Sequence, residues 1–245
     1  MEDKETGISR REFLMMAGTA LFASLPVAAF AADAGAPLKI GTIGAGKIGS
    51  TVGELWVKSG HPVLFSSRHP EEITGLVARL GSLARAGTVP EAIAFGDAML
   101  LAVPYGAMPQ IAKDYAAALK GKIVIDAGNA VATRDGAIAD EVERDGIGVT
   151  TQKFLPGARI VRAFNTLSYT IFAREANRPD PKLAVPIAGD DADAVKVVAG
   201  LVRDAGFEPV IVGKLADARR FQRGSAGYGL AVSAAELRQK LSVTP

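Results

Sequence analysis

Residues 38–49 read Leu-Lys-Ile-Gly-Thr-Ile-Gly-Ala-Gly-Lys-Ile-Gly, and this stretch decides the fold. The pattern predicts a short apolar strand over residues 39–43, a turn with the spacing G-x-G-x-x-G, and an amphipathic helix over residues 48–57. In such a turn the first glycine permits the sharp bend and the second lets backbone N–H groups approach a pyrophosphate. The third lets helix and strand pack closely. The predicted pyrophosphate-binding residues are Gly44, Ala45, Gly46, Lys47, Ile48 and Gly49.

The turn after the next predicted strand indicates which nucleotide is bound. This strand covers residues 63–66, and the turn reads Ser-Ser-Arg-His-Pro over residues 66–70, with no acidic residue before position 71. A site for NAD places Asp or Glu here to accept hydrogen bonds from the ribose 2′-hydroxyl. A guanidinium and hydroxyl groups suit a 2′-phosphate instead. We therefore expect NADP(H), held by Ser66, Ser67 and Arg68. The alternative is a solvated arginine in a helix-capping turn, and the neighbouring His69 is expected to contribute little.

The first 31 residues have the features of an export signal. Arg10 and Arg11 precede an apolar run over residues 14–30, which ends in an Ala-Phe-Ala cleavage site at residues 29–31. This resembles a bacterial twin-arginine signal peptide, so we expect the twin-arginine machinery to export the folded protein to the periplasm. The alternative is an uncleaved segment that tethers the protein to the membrane. Residues 32–37 are then a linker.

Composition excludes several classes of function. Without residues 1–31 the chain keeps 25 basic and 22 acidic residues, and this net charge of +3 is too small to predict nucleic-acid binding. Two histidines, no cysteine and no H-E-x-x-H motif argue against a typical zinc site, so no metal is expected. The chain also lacks the G-x-S-x-G motif of a nucleophile elbow.

Predicted strands and helices alternate along the rest of the chain. The predicted strands cover residues 98–103, 122–125, 159–163, 183–187 and 209–212. The predicted helical segments cover residues 90–95, 108–119, 192–205 and, with three glycines in it, 215–241. Such alternation predicts an α/β protein with a Rossmann, doubly wound parallel sheet and a small C-terminal α/β extension.

Ligands of doubly wound sheets bind at the carboxyl ends of the strands, which predicts where the cleft lies. Five strand ends are expected to form it, at residues 44–49, 66–68, 103–105, 126–129 and 164–166. Asp126 is either a general base or a carboxylate that caps a loop. The pair Asp190-Asp191 is expected to cap the following helix, because acidic groups suit the positive end of a helix.

Four segments together resemble the NADPH-dependent reductases of the deazaflavin coenzyme F420 and related NADP oxidoreductase-like proteins. They are Ile-Gly-Ala-Gly-Lys-Ile-Gly at 43–49, Ser-Ser-Arg at 66–68, Leu-Ala-Val-Pro at 101–104 and Val-Arg-Ala-Phe-Asn-Thr at 161–166. Further similarity brings the resemblance to nearly all of residues 38–220. It implies an NADP-binding domain over residues 38–166, a C-terminal extension over residues 167–245 that completes the cleft, and often a homodimer.

The resemblance also implies roles for individual residues. The expected further cofactor contacts from it are Val103 and Pro104, and the expected cleft-lining residues are Pro104, Phe164, Asn165 and Thr166. Their places at strand ends add Asn129 to the expected cofactor contacts and Tyr105 to the expected cleft lining. The chain departs from the family where Asp-Ala-Gly-Asn-Ala, at residues 126–130, replaces an Asn-Pro-like ending. It departs again at residues 220–225, where the family tends to carry an acidic residue.

These observations predict an oxidoreductase that transfers hydride between NADPH and a deazaflavin- or flavin-like acceptor. Hydride transfer depends mainly on the positioning of two rings and on the exclusion of water, so the lack of an obvious catalytic dyad agrees with this prediction. The alternatives are an exported nucleotide-binding protein without turnover and a reductase of a metal or quinone-like acceptor. An apolar pocket beside the nicotinamide would distinguish a reductase from a binding protein.

Overall fold

The computed structural model of the protein describes residues 37–243, so the predicted signal peptide and most of the linker lie outside the described residues. Within them, eight strands form one sheet in the order β3-β2-β1-β4-β5-β6-β7-β8. The strands are β1 (Ile40–Ile43), β2 (Val63–Ser66), β3 (Ala84–Gly87), β4 (Ala98–Leu101), β5 (Ile123–Asp126), β6 (Arg159–Arg162), β7 (Ala184–Gly189) and β8 (Glu208–Gly213). Only β3 had not been predicted, because its sequence Ala-Arg-Ala-Gly lacks the apolar character of the other strands.

Helices cover both faces of this sheet, which confirms the predicted α/β fold. They are α1 (Lys47–Lys58), α2 (Thr74–Leu80), α3 (Val89–Phe95), α4 (Met108–Leu119), α5 (Ala132–Asp135), α6 (Ala137–Asp145), α7 (Ile147–Phe154), α8 (Tyr169–Glu175), α9 (Ala192–Asp204) and α10 (Ala234–Lys240). Residues of α1, α8 and α9 pack in one apolar core, and residues of α3, α4 and α7 pack in a second. The sequence predicts none of α5 to α8, because residues 130–158 show no long apolar period and α8 is only 7 residues long.

Four aromatic rings dominate the first of these cores. The Phe164 ring lies 5.7 Å from Trp56 and 5.6 Å from Phe172, and Phe172 lies 5.4 Å from Phe207, measured between ring centroids. All four side chains are fully buried, and the Trp56 indole N–H donates to the Leu201 carbonyl oxygen at 2.7 Å. The cluster therefore joins α1, α8, α9 and the end of β6 into one packed layer.

All neighbouring strands are parallel except β6 and β7, which run antiparallel. The connection between them is residues 163–183, and its one helix, α8, packs on α1. The carboxyl ends of β7 and β8 therefore lie at the opposite edge of the sheet from the predicted cleft. Asp191 lies at that opposite edge, where its carboxylate caps α9 by accepting from the Ala194 N–H at 2.8 Å and binds Arg159, as its predicted capping role requires.

The C-terminal segment corrects one prediction. The helical pattern over residues 215–241 forms a 3-10 turn (Leu215–Phe221), then irregular chain, and then α10. Gly224 and Gly229 interrupt the pattern with positive φ angles of 86° and 79°, a conformation that no helix accepts. Apolar residues of the 3-10 turn and of α10 instead pack in a third core against β7 and β8.

Candidate functional site

The glycine turn lies between β1 and α1, beside β4, at the point where the strand order reverses. Gly44 has φ +100°, and a Cβ there would lie 2.7 Å from the Ala102 carbonyl oxygen. A Cβ on Gly49 would collide with the Gly44 carbonyl oxygen. Around Gly46, in contrast, there is no atom within 4 Å of such a Cβ. The first and third glycines are thus required by the fold, whereas the space at the second is available to a ligand.

Helix α1 presents a free N-terminus to this space. Gly46 is its N-cap, so no side chain caps the helix, and its first turn contains no acidic residue. The twelve-residue helix therefore directs N–H groups and a partial positive charge toward the turn. These features fit the pyrophosphate of a dinucleotide.

In the turn after β2, two of the three predicted cofactor-binding residues are accessible to a ligand. Arg68 is exposed, and no carboxylate among residues 37–243 lies within ion-pair distance of it. Ser67 is partly exposed, and its hydroxyl oxygen accepts from the His69 N–H at 3.0 Å. Ser66 differs: it is fully buried, and its hydroxyl donates to the Thr42 carbonyl oxygen. Its predicted contact with the cofactor is therefore wrong for the side chain, because the hydroxyl is used to join β2 to β1.

The segment after β4 is also divided between cleft and core. Val103 is half-buried and Pro104 is exposed, as a cofactor contact requires. Tyr105 is only 1% exposed, and its hydroxyl lies 2.9 Å from Thr151 Oγ1. Burial raises the pKa of Tyr105, and the nearby Asp126 carboxylate raises it further. The predicted cleft position of Tyr105 is therefore wrong, because its ring packs under α7.

A buried ion pair supports the loop after β5. Asp126 and Arg162 are both fully buried, with Asp126 Oδ2 2.6 Å from Arg162 Nη1. Asp126 Oδ1 accepts from the Gly128 N–H at 2.8 Å, and Arg162 Nη2 donates to the Gly128 carbonyl oxygen at 2.7 Å. Asp126 Oδ2 also accepts from the Thr151 hydroxyl at 2.7 Å. Of the two roles predicted for Asp126, the structure favours the loop cap, since both carboxylate oxygens are engaged by protein.

Hydrogen bonds join the loops after β4, β5 and β6. Asn129 Nδ2 donates to the Asn165 carbonyl oxygen at 2.7 Å, and Arg134 Nη2 donates to the Asn129 carbonyl oxygen at 2.7 Å. The Asp135 carboxylate accepts from the Gly106 N–H at 3.0 Å and from the Val131 N–H at 2.8 Å. Arg134, which binds Asp135, is the main reason why the pKa of that carboxyl lies below its ordinary value. The three loops therefore form one hydrogen-bonded network.

The end of β6 holds the remaining predicted cleft residues. Phe164 has φ +58°, which is rare for a bulky residue, and its ring lies in the aromatic core. Its predicted place in the cleft is wrong for the side chain, because the turn directs the ring inward. Asn165 and Thr166 are each 2% exposed, and Asn165 Oδ1 and Thr166 Oγ1 are buried without a hydrogen-bond partner among residues 37–243. Such unpaired buried oxygens are rare in folded proteins.

Two sets of residues near the cleft had not been predicted. The Tyr169 ring lies under the Lys47 ammonium group, 5.2 Å from ring centroid to Nζ, which brings the start of α8 to the glycine turn. Arg134 and Asp135 form the loop network described above. Ser168 is a capping residue that could have marked the start of α8. No sequence pattern indicates the partners of Arg134 and Asp135, which lie as far as 29 residues away.

The part of the chain that the structure describes contains neither a cluster of metal-ligating side chains nor a helix that could span a membrane. Among residues 37–243, no three His, Asp or Glu side chains come together as a metal site. His61 is engaged by protein, since Nδ1 accepts from the Leu38 N–H and Nε2 lies 3.0 Å from Asp204 Oδ2. None of the helices within the same residues is long and apolar enough to cross a bilayer.

Comparison with known families confirms the resemblance predicted from the sequence. Residues 39–130 match the family described as NADP oxidoreductase, coenzyme F420-dependent. This range extends from β1 to the loop after β5, so it includes the glycine turn, Arg68 and Asn129. The fold, the glycine turn and this match together indicate the class of protein that the chain resembles over these residues, the NADP oxidoreductases.

Individual proteins are similar to this chain over longer ranges. Metalloreductase STEAP3 of Rattus norvegicus is 29% identical over 191 residues, which are 75% of this chain and 36% of that protein. The chain therefore spans about a third of the length of this curated relative. A hypothetical protein from Sinorhizobium meliloti has a TM-score of 0.70 and 29% identity, over 80% of this chain and 95% of that one. A candidate F420-dependent NADP reductase from Arthrobacter sp. FB24 has a TM-score of 0.64 and 23% identity, over 74% and 87%, and shares the fold.

Proposed function

We propose that this chain binds NADPH along the carboxyl edge of its sheet and passes hydride to a deazaflavin- or flavin-like acceptor. The observation that carries the proposal is the uncapped N-terminus of α1, which faces open space at Gly46. A pyrophosphate in this space receives N–H hydrogen bonds and the field of the helix without displacing any side chain. Lys47, exposed at the same turn, adds a positive charge.

The choice of NADPH over NADH rests on Arg68 and Ser67. Arg68 is exposed, and the described residues offer it no carboxylate partner, so its guanidinium is available to a 2′-phosphate. Neither of these two residues can accept hydrogen bonds from a ribose diol in the way that a carboxylate does. The turn therefore favours the phosphorylated ribose.

The acceptor side of the proposal rests on the loop network and its two unpaired oxygens. Asn165 Oδ1 and Thr166 Oγ1 lie at the end of β6, which is two strands away from β4 in the sheet. The nicotinamide half of a dinucleotide is expected on this side of the glycine turn. When bound, NADPH supplies a hydride: two electrons and one proton pass to the acceptor, which takes a second proton from solvent, leaving NADP⁺. The protein's part is to hold both rings within about 3–3.5 Å and to exclude water, which the hydrogen-bonded loops favour.

A metal-ion acceptor is a second candidate, favoured by one observation. The chain matches a metalloreductase over 191 residues, and the match lies within a much longer protein. In this candidate the metal ion is the substrate. The third possibility, nucleotide binding without turnover, makes the same prediction for the glycine turn and differs only in the absence of a reaction.

Two measurements on the purified, folded chain test these functions. Calorimetric titration with NADPH and NADH is expected to show binding of NADPH that is at least tenfold tighter, since hydrogen bonds to a charged group contribute about 1.5–3 kcal/mol. Oxidation of NADPH is then followed with riboflavin, with coenzyme F420 and with a ferric chelate. Turnover with the ferric chelate alone would favour the second candidate, and NADPH binding without any turnover would favour the third. Equal affinity for both nucleotides would contradict the assignment of NADPH.

Export is a separate proposal, which concerns residues outside the described range. Arg10 and Arg11 with the following apolar run support a twin-arginine signal, which would deliver the folded protein to the periplasm, or tether it to the membrane if uncleaved. Changing both arginines to lysine is expected to leave the precursor in the cytoplasm. Fractionation of cells that produce a tagged chain measures this, and unchanged periplasmic recovery would contradict it.

A further inference from the structure

A cavity of about 270 Å³ opens next to the loop that ends β5. Ala130 lines it and directly follows Asn129, whose side chain is bonded to the end of β6. Its other walls come from α5, α6, the start of α7 and residues 222–224. In the sheet, β5 is two strands away from β1. The cavity therefore adjoins the acceptor side of the proposed cleft.

Gln222 is the buried polar side chain of this cavity. It is 7% exposed, and its Oε1 accepts from the Ile147 N–H at 3.0 Å. Because an N–H must face an oxygen, this bond determines the orientation of the amide and leaves Nε2 as the donor. Within residues 37–243 Nε2 has no hydrogen-bond partner. Since Gln222 lines the cavity, its unpaired amide donor is available to a ligand there.

The remaining lining indicates which chemistry this donor would serve. Ala130, Val142 and Ile147 provide apolar surface, and the last two are buried. Three charged side chains also line the cavity, and all are exposed and solvated: Asp140 and Glu143 of α6, and Arg223. An amide N–H attracts an acceptor oxygen and repels a cation. Because the charged groups are solvated, the buried part of the lining suits an uncharged molecule that carries a carbonyl oxygen.

We infer that this cavity binds the carbonyl-bearing edge of a planar heterocyclic hydride acceptor, with Gln222 Nε2 donating to a ring carbonyl oxygen. The inference rests on the proposed function, and it adds the site and the recognised group. It also selects between the acceptors considered above, because a flavin or deazaflavin has such carbonyl groups and a hydrated metal ion does not. Residues 220–225, where the sequence departs from the family, thus include the residue that recognises the acceptor.

The decisive variant is Gln222→Glu. It keeps an oxygen for the Ile147 N–H and nearly the same shape, but it replaces the donor by a second acceptor oxygen. The probe is riboflavin, which has the ring carbonyls and no phosphate that could occupy the glycine turn. We expect the KM for riboflavin in NADPH oxidation to rise at least tenfold, and quenching of riboflavin fluorescence by the NADP⁺-saturated protein to weaken equally. The Kd for NADPH should stay within twofold.

Two further variants complete the test. Gln239→Glu adds the same charge on the exposed surface of α10 and should change neither value. Ala139→Phe fills the cavity from α6, so it should raise the riboflavin KM even if Gln222→Glu folds poorly, with folding followed by circular dichroism. Unchanged riboflavin binding in both cavity variants would overturn the inference, as would a parent protein that binds NADPH but no riboflavin. A parent that fails to bind NADPH would instead overturn the proposed function.

Discussion

The two ends of the proposed cleft are built differently. At the β1–β2 end the functional groups are exposed or free: Arg68, Lys47 and the backbone N–H groups at Gly46. At the β5–β6 end they are buried or half-buried and bonded to each other, as in Asn165 and Asn129. The first end consists of one short piece of sequence and one turn, whereas the second brings together residues from three loops.

This difference follows from what each end would bind. Phosphate groups are charged and hydrated, and mobile cationic side chains together with backbone N–H groups suffice to hold them. Hydride transfer depends on distances between uncharged rings, so the groups around them must be held in place. The following predictions test whether the β5–β6 end is rigid and the β1–β2 end is a phosphate site.

The largest effect is expected at the buried pair under the β5–β6 end. Asp126→Ala leaves the Arg162 guanidinium buried and unpaired, which should lower the free energy of unfolding by about 3–5 kcal/mol. Urea denaturation measures the change. Asp114→Ala, on the exposed surface of α4, serves as the control and should stay within about 0.5 kcal/mol. A loss as small as that of the control would mean that the β5–β6 end does not depend on the pair.

Arg68→Ala tests the charge at the β1–β2 end. It should weaken NADPH binding by about 1.5–3 kcal/mol, the range for hydrogen bonds to charged groups, while NADH binding hardly changes. Calorimetric titration with both nucleotides gives the two values. Arg85→Ala removes an equally exposed arginine from β3 and should leave both affinities unchanged. An equal loss of NADPH and NADH binding in Arg68→Ala would exclude the 2′-phosphate as its partner.

The glycine turn allows fold and binding to be separated. Gly46→Ala places a methyl group in open space, so stability should hold while NADPH affinity falls at least tenfold, or about 1.4 kcal/mol. Gly49→Ala collides with the Gly44 carbonyl oxygen and should lower the free energy of unfolding by about 1–3 kcal/mol. Thermal unfolding and nucleotide titration of both variants distinguish the two effects. Full NADPH affinity in Gly46→Ala would argue against a pyrophosphate at this position.

Thr166→Val removes an unpaired hydroxyl from the β5–β6 end and nearly keeps the side chain's shape. Because Oγ1 has no protein partner, the free energy of unfolding should stay the same or rise by about 1 kcal/mol. If the oxygen contacts the bound rings, NADPH oxidation should nevertheless slow several-fold. Denaturation and steady-state kinetics are compared on the same preparation. A stabilised variant with undiminished turnover would show that Thr166 is not part of the reacting site.

The smallest effect is expected on the outer face of α1. Glu54 binds Arg79 at 2.9 and 3.0 Å, and mainly these hydrogen bonds lower the pKa of the Glu54 carboxyl from its ordinary 4.5 to about 2. The pair therefore stabilises the fold above pH 4.5, and this contribution is lost as the pH falls toward 2. At pH 6, Glu54→Gln should cost less than about 1 kcal/mol, because the pair is solvated. Urea denaturation at pH 6 and pH 3 should show the difference from the parent shrinking at the lower pH.

The sequence predictions are more accurate for strands and helices than for the direction of individual side chains at the cleft. The predicted strand over residues 63–66 and helix over residues 108–119 match β2 and α4 residue for residue. In contrast, Tyr105 and Phe164 were expected in the cleft and lie in the cores. A strand end shows that a residue is near the cleft, but whether its side chain faces ligand or core depends on packing against residues such as Thr151 and Trp56.

The sequence by itself determined the features that depend on neighbouring residues: the alternation of strands and helices, the glycine turn and the Arg68 turn. Local backbone geometry and short-range chemistry produce these, and both are readable in a few consecutive letters. Only the tertiary structure decided that β7 runs antiparallel to β6, that Asp126 pairs with Arg162, and that Gln222 lines a cavity beside Ala130. Each of these contacts joins residues distant along the chain, and burial selects them from many pairings that the sequence allows equally well.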